Sequence, residues 1–86
     1  MKITFFGSVQ EYAAGDKAFE AEDVRSVRDL VDLLGGHYGE SFRRFLLGDN
    51  TCIFLLNGKS VVTAGGLDAP LAPGDTVDVL PFVDGG

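Results

Sequence analysis

The chain has little of what a redox, metal or nucleic-acid protein needs. One cysteine, Cys52, stands among 86 residues. No internal disulfide can therefore form, and no multi-cysteine metal or iron–sulfur site is available. A plant-type ferredoxin, which needs four thiolates, is excluded with it. The one histidine, His37, follows Gly36 near an expected helix end and has no second His or paired Cys to complete a metal site. Cys52 falls in an apolar run, where a free thiol behaves as a small apolar residue, which argues against a Cys–His nucleophile pair. Basic residues are scarce: seven Lys and Arg face thirteen Asp and Glu, for a net charge of −6. Nucleic-acid binders display basic stripes, so the balance argues against a phosphate-backbone partner and favours docking onto basic protein surfaces. Long hydrophobic runs are missing too. The opening Met1–Gly7 segment is too short for a signal peptide or a membrane span, and the expected location is cytoplasmic. Gly35-Gly36 and Gly65-Gly66 match neither phosphate-loop pattern.

What is present reads as one domain over residues 1–86, with 45% apolar and 10% aromatic residues, a composition suited to a small packed core. Lys2 to Gly7 alternates like a strand, with Ile3 and Phe5 on one face and Thr4 and Phe6 on the other. A polar stretch around Gly15-Asp16 reads as a loop. Ala18 to Val24 alternates again, giving a second, antiparallel strand. Ser26-x-x-Asp29 resembles a capping box, and Val27, Leu30, Val31 and Leu34 form one apolar helical stripe. Gly35-Gly36 is expected to end that helix. Phe42, Phe45 and Leu46 are spaced for a short second helix, broken at Gly48-Asp49-Asn50. Thr51 to Leu56 is nearly continuously apolar, the pattern of a strand buried on both faces. Asn57-Gly58 predicts a hairpin turn into a short strand around Ser60 to Thr63. Thr76 to Leu80 is the last strand, with Val77 and Val79 inward and Thr76, Asp78 and Leu80 outward. Pro81, lacking an N–H, is expected to close its ladder.

This order predicts an α+β fold of the β-grasp, or ubiquitin-like, kind. A mixed sheet of four to five strands carries one main helix packed across it and a short second helix. Its first and last strands should lie parallel and adjacent, bringing Phe6, Leu80 and Phe82 into an outward apolar cluster. Such a cluster suits a protein–protein contact, unless the second helical piece folds over it. Residues 82–86 are expected to form a flexible tail. That tail ends in Gly85-Gly86, whose carboxylate, with an ordinary pKa of about 3.3–3.7, is ionised at neutral pH and can attack the α-phosphate of ATP. Two glycines lack side chains and tolerate positive φ, so such a tail can thread a narrow channel.

The run from Leu71 through Gly74-Asp75-Thr76-Val77 and Pro81 to Gly85-Gly86 resembles the C-terminal signature of the MoaD/ThiS sulfur-carrier family. The opening Lys2–Gly7 strand, the Ser26-Val27-Arg28-Asp29-Leu30 helix start and Leu56-Asn57-Gly58 are similar in kind. The resemblance implies that an E1-like adenylyltransferase of the MoeB/ThiF type adenylylates Gly86, using ATP and magnesium that this chain does not itself bind. Sulfur then replaces AMP to give a C-terminal thiocarboxylate. Gly86, with Gly85 behind it, is thus the implied reactive end. Phe6, Leu80, Pro81 and Phe82 are the implied partner-binding positions. The chain would be a carrier subunit of a sulfurtransferase rather than a catalyst with its own side chains. The leading acceptor is the large subunit of a molybdopterin synthase, in a heterotetramer. Delivery to cysteine or thiamine-thiazole synthesis and ubiquitin-like protein modification are the alternatives, and a plain binding module is the last. Two positions depart from the family pattern. Pro81 is followed by Phe82 rather than a second proline, and Asp84 stands where a small residue is usual.

Overall fold

A computed structural model describes residues 1–48 and 51–82; Asp49-Asn50 and residues 83–86 lie outside the described residues. Strand alternation places the first and last strands side by side. β1 (Lys2–Phe5) and β5 (Thr76–Pro81) run parallel, with Ile3 beside Val77 and Phe5 beside Val79. All four are at most 1% exposed, because a side-chain period of two directs them to one face. β2 (Ala18–Glu20) pairs antiparallel with β1. β3 (Cys52–Leu56) pairs antiparallel with β5, and β4 (Lys59–Ser60) with β3. The order β2-β1-β5-β3-β4 puts β5 in the middle. This mixed sheet with helices is the β-grasp that the element order predicts.

α2 (Val27–Tyr38) begins where the capping pattern places it. The Asp29 backbone N–H donates to Ser26 Oγ over 3.1 Å, while the Asp29 carboxylate accepts from Arg25 N–H, also at 3.1 Å. The reciprocal bond thus lands one residue ahead of the usual capping-box partner. Val27, Leu30, Val31 and Leu34 are buried as one stripe. The helix does not end at Gly35-Gly36. It runs on to Tyr38 and stops at Gly39, whose φ of 115° favours glycine. Gly35 serves packing instead. A Cβ there would stand 2.8 Å from Arg43 Cβ on α3 (Glu40–Leu47), so the missing side chain lets the two helices approach closely. α3 shares the inner side of the sheet: Phe42 packs edge-on against Phe5 at 5.7 Å and Tyr38 at 5.5 Å.

Other departures follow from short-range geometry. The stretch read as a loop contains one helical turn, α1 (Val9–Tyr12), which buries Val9 and the following Ala13. β2 is three residues rather than seven, and the chain turns away at Asp23, whose φ is 60°. β3 is not buried on both faces; only Phe54 is buried, because the helices cover one side of the sheet. The expected strand at Ser60–Thr63 is cut short. After β4 the chain enters a 3₁₀ turn at Val61–Ala64, started by Val62 N–H donating to Ser60 Oγ. Pro81 lies within β5, opposite Cys52, and the ladder continues past it, since Phe82 N–H donates to Thr51 O over 3.1 Å. N–H direction alternates along a strand, so the Pro81 nitrogen faces the side on which β1 has already ended, where no donor is missed.

Candidate functional site

Gly85 and Gly86, the expected reactive end, lie outside the described residues. What precedes them is held at both ends. At its start, β5 is tied to the β3–β4 turn by Asn57. Thr76 N–H donates to Asn57 Oδ1 over 3.0 Å, Asn57 N–H donates to Thr76 O over 2.9 Å, and Asn57 Nδ2 donates to Asp75 Oδ1 over 3.0 Å. Asn57 and Gly58 have φ of 50° and 86°, the left-handed pair that a two-residue hairpin of this twist requires. The Asp75 carboxylate also accepts from Ala72 N–H at 2.8 Å. The Asn57 bond, then the Ala72 bond, hold its carboxyl below the usual carboxylate range. At its far end, Phe6 N–H donates to Val79 O and Phe82 N–H to Thr51 O. Phe82, the last described residue, is therefore held at the end of the central strand.

Around that point lies the outer face of the sheet. Ile53 pairs with Leu80, and Phe6 follows Phe5, the partner of Val79, so it comes beside Leu80. The next row sets Thr4, Asp78 and Leu55 side by side. Phe6 and Phe82 are each 42% exposed, and Leu80, Ile53 and Leu55 are partly so. α3, packed on the inner side, does not fold over this face. Pro81 is half-buried, and a Cβ at Gly7 would come within 3.1 Å of its ring. The register thus sets Phe6 beside Leu80, with Pro81 ending the same strand and Phe82 following it. Sequence reasoning missed Ile53 and Leu55. A continuous apolar run does not say which residues face out; only the register against Leu80 and Asp78 does.

Phe82 also borders a cleft of about 440 Å³ lined by Cys52, Ile53, Phe54 and Val62. Burial pushes the Cys52 thiol up to about 11, with a Thr51 hydrogen bond acting the other way. It is therefore a protonated thiol at neutral pH, and only the thiolate is strongly nucleophilic. His37 is exposed and stands against the rings of Phe19 and Tyr38, at 4.9 and 4.6 Å. Among the described residues, no three His, Cys, Asp or Glu side chains gather to hold a metal, and no helix is long and apolar enough to cross a membrane.

The ThiS family profile matches residues 3–86. No curated protein matches the chain. Among solved structures, a chain of the Amycolatopsis orientalis BexX/CysO complex is 25% identical with a TM-score of 0.84, the match covering 99% of this chain and 98% of that one. Small archaeal modifier protein 1 from Methanosarcina acetivorans is 25% identical with a TM-score of 0.80, over 99% of this chain and 94% of that one. A proposed molybdopterin converting factor subunit 1 from Pyrococcus furiosus is 26% identical with a TM-score of 0.72, over 95% of both chains. A profile matched from the first strand through the diglycine, on a sheet of the same architecture, identifies the chain as a member of the ThiS family.

Proposed function

We propose that this chain is a sulfur carrier whose reactive group is the Gly86 carboxylate. In the first step that carboxylate attacks the α-phosphate of ATP on an adenylylating enzyme, forming an acyl adenylate and releasing pyrophosphate. In the second, sulfur at the oxidation level of sulfide displaces AMP, leaving a thiocarboxylate. Adenylation supplies the leaving group that a bare carboxylate lacks. The carrier's own part is presentation, while the partner stabilises the charge that develops during transfer. The observation that carries the reading is the family match, which runs through Gly86 and joins that end to the anchored central strand. Four residues follow Phe82, and fully extended they reach at most about 14 Å. The activating centre must therefore come close to the end of the sheet, which requires docking there. Phe6, Leu80 and Phe82, with Ile53 and Leu55, supply an apolar face for that docking.

We take the acceptor to be the large subunit of a molybdopterin synthase, a reading supported by the 26% identity to the Pyrococcus furiosus protein. A second reading, delivery to a different biosynthetic enzyme, is favoured by the higher TM-score of 0.84 to the chain from the BexX/CysO complex. Intact mass of the protein purified from its own cells tests the common core. The expected species ends at Gly86 with one oxygen exchanged for sulfur. Gly86 joined to lysines of other proteins would instead assign it as a modifier, and an unchanged carboxylate under sulfur-demanding growth would refute the carrier reading. Adding the thiocarboxylate form to a large synthase subunit and a pterin precursor then tests the acceptor.

A further inference from the structure

Aspartate is depleted in strands, yet Asp78 occupies the central strand of this sheet, on its outer face where the apolar cluster of Phe6, Ile53, Leu55 and Leu80 meets polar Thr4 and Thr76. Leu55 flanks it on β3, Thr4 flanks it on β1, and Leu80 follows it on its own face. Among the described residues only two acidic residues are partly buried rather than exposed, Asp75 and Asp78. The Asp75 carboxylate is satisfied by Asn57 and Ala72. The Asp78 carboxylate has no hydrogen-bond or ion-pair partner among the described residues. Lys2 lies diagonally on the same face, but its Cα partner is Thr76 and it forms no ion pair with Asp78. Elsewhere three arginines do meet carboxylates, Arg28 with Asp68, Arg43 with Asp32 and Arg44 with Glu40.

Asp78 is partly exposed in the free protein, so its carboxylate is open to water there. Any partner that covers the apolar face removes that water. An uncompensated carboxylate then becomes strongly unfavourable, whereas a paired one fixes the register of docking. An unmatched apolar surface is rejected by the same carboxylate. Arginine is the cation enriched at interfaces, and its planar fork suits a carboxylate.

We infer that the adenylylating partner places an arginine guanidinium over Asp78, and that this pair selects the partner for the apolar face. The inference rests on the proposed carrier function and sharpens it by naming a specificity residue. It holds for every acceptor, since each begins with adenylation.

ATP–pyrophosphate exchange by the adenylylating enzyme of the same organism tests it, using the full chain as wild type, Asp78→Asn, Asp78→Thr and, as a control of equal charge change, Glu22→Gln. Asp78→Asn is expected to raise the KM for the carrier about thirtyfold or more, the loss seen when one member of a desolvated charge pair is removed, with kcat unchanged. The KM of Asp78→Asn should also depend less on salt than that of the wild type or Glu22→Gln. Both Asp78 variants should melt no lower than wild type, an outcome that a structural role for the carboxylate would not produce. Asp78→Thr restores a β-favouring residue and keeps the test standing should the amide fold poorly. Wild-type exchange with Asp78→Asn indistinguishable from Glu22→Gln would overturn the inference alone. No exchange with wild type would overturn the carrier reading and this inference together.

Discussion

On β5, Val77 and Val79 are fully buried, while Asp78 and Leu80, each one residue along, look outward and stay partly exposed. The same alternation runs along β1 and the residue after it, where Ile3 and Phe5 are buried but Phe6 is 42% exposed. Two faces of one sheet thus have opposite characters. The inner face meets α2 and α3 in a core of aliphatic residues and edge-on rings. The outer face carries Phe6, Ile53, Leu55 and Leu80 with Asp78, Thr4 and Thr76 beside them, and among the described residues α2 and α3 both lie on the other side. Burial explains the first face, since apolar area removed from water stabilises at about 25 cal/mol per Å². It does not explain the second. Apolar side chains left in contact with water add little stability to the free fold, and contiguous exposed patches are typical of interaction sites.

The contrast predicts that substitutions on the two faces will separate stability from recognition. Phe5→Ala has the largest expected effect. It removes a ring that packs on Phe42 and Tyr38 and should cost about 3–5 kcal/mol in urea unfolding. Asn57→Ala comes next, at about 0.5–1.5 kcal/mol for each exposed hydrogen bond lost, those to Thr76 N–H and to the Asp75 carboxylate. Hydrogen exchange should accelerate first at the start of β5. Leu80→Ala and Phe6→Ala sharpen the comparison from the other side. Their expected stability loss is under about 1 kcal/mol, as for most surface changes, but each should weaken binding to the adenylylating enzyme about tenfold or more, as interface anchors do. Equal losses of stability on both faces would break the distinction.

The smallest effect lies in pH. Burial raises Tyr38 to about 12, aided by its hydrogen bond to Asp16 and by that carboxylate's charge. Its unfolded value is about 10, so the folded state holds the phenolic proton more tightly. The stability this contributes is complete below about pH 10 and is lost as pH rises through about 12. Thermal melts of Tyr38→Phe should lack that alkaline component, and an identical alkaline decline in the variant would rule Tyr38 out as its source.

Much of this was legible in the residues because local pattern and tertiary demand agree. The Ser26 cap, the Val27–Leu34 stripe, the Asn57-Gly58 turn and the Val77/Val79 alternation each report their own surroundings. Where pattern and surroundings part, reading failed for identifiable reasons. Gly35 looks like a helix stop, but its absent side chain answers to Arg43 on another helix, which no local window contains. Ile53 and Leu55 look buried because their neighbours Phe54 and Leu56 face inward, and only pairing with β5 reveals the outward set. α1 was hidden by its length, a single turn being too short to show periodicity. At the candidate site, Phe6 and Leu80 could be placed from the expected β1–β5 adjacency. The exceptional position of Asp78 needed the register on both sides of β5.

The most direct test of the central claim removes Gly85 and Gly86 and leaves the rest of the chain intact. With the adenylylating enzyme of the same organism, the shortened chain should support no pyrophosphate exchange, yet compete with the full chain for the enzyme through the unchanged outer face. Exchange by the shortened chain at the full-length rate would contradict the account, because the reactive group would then lie somewhere other than the diglycine end.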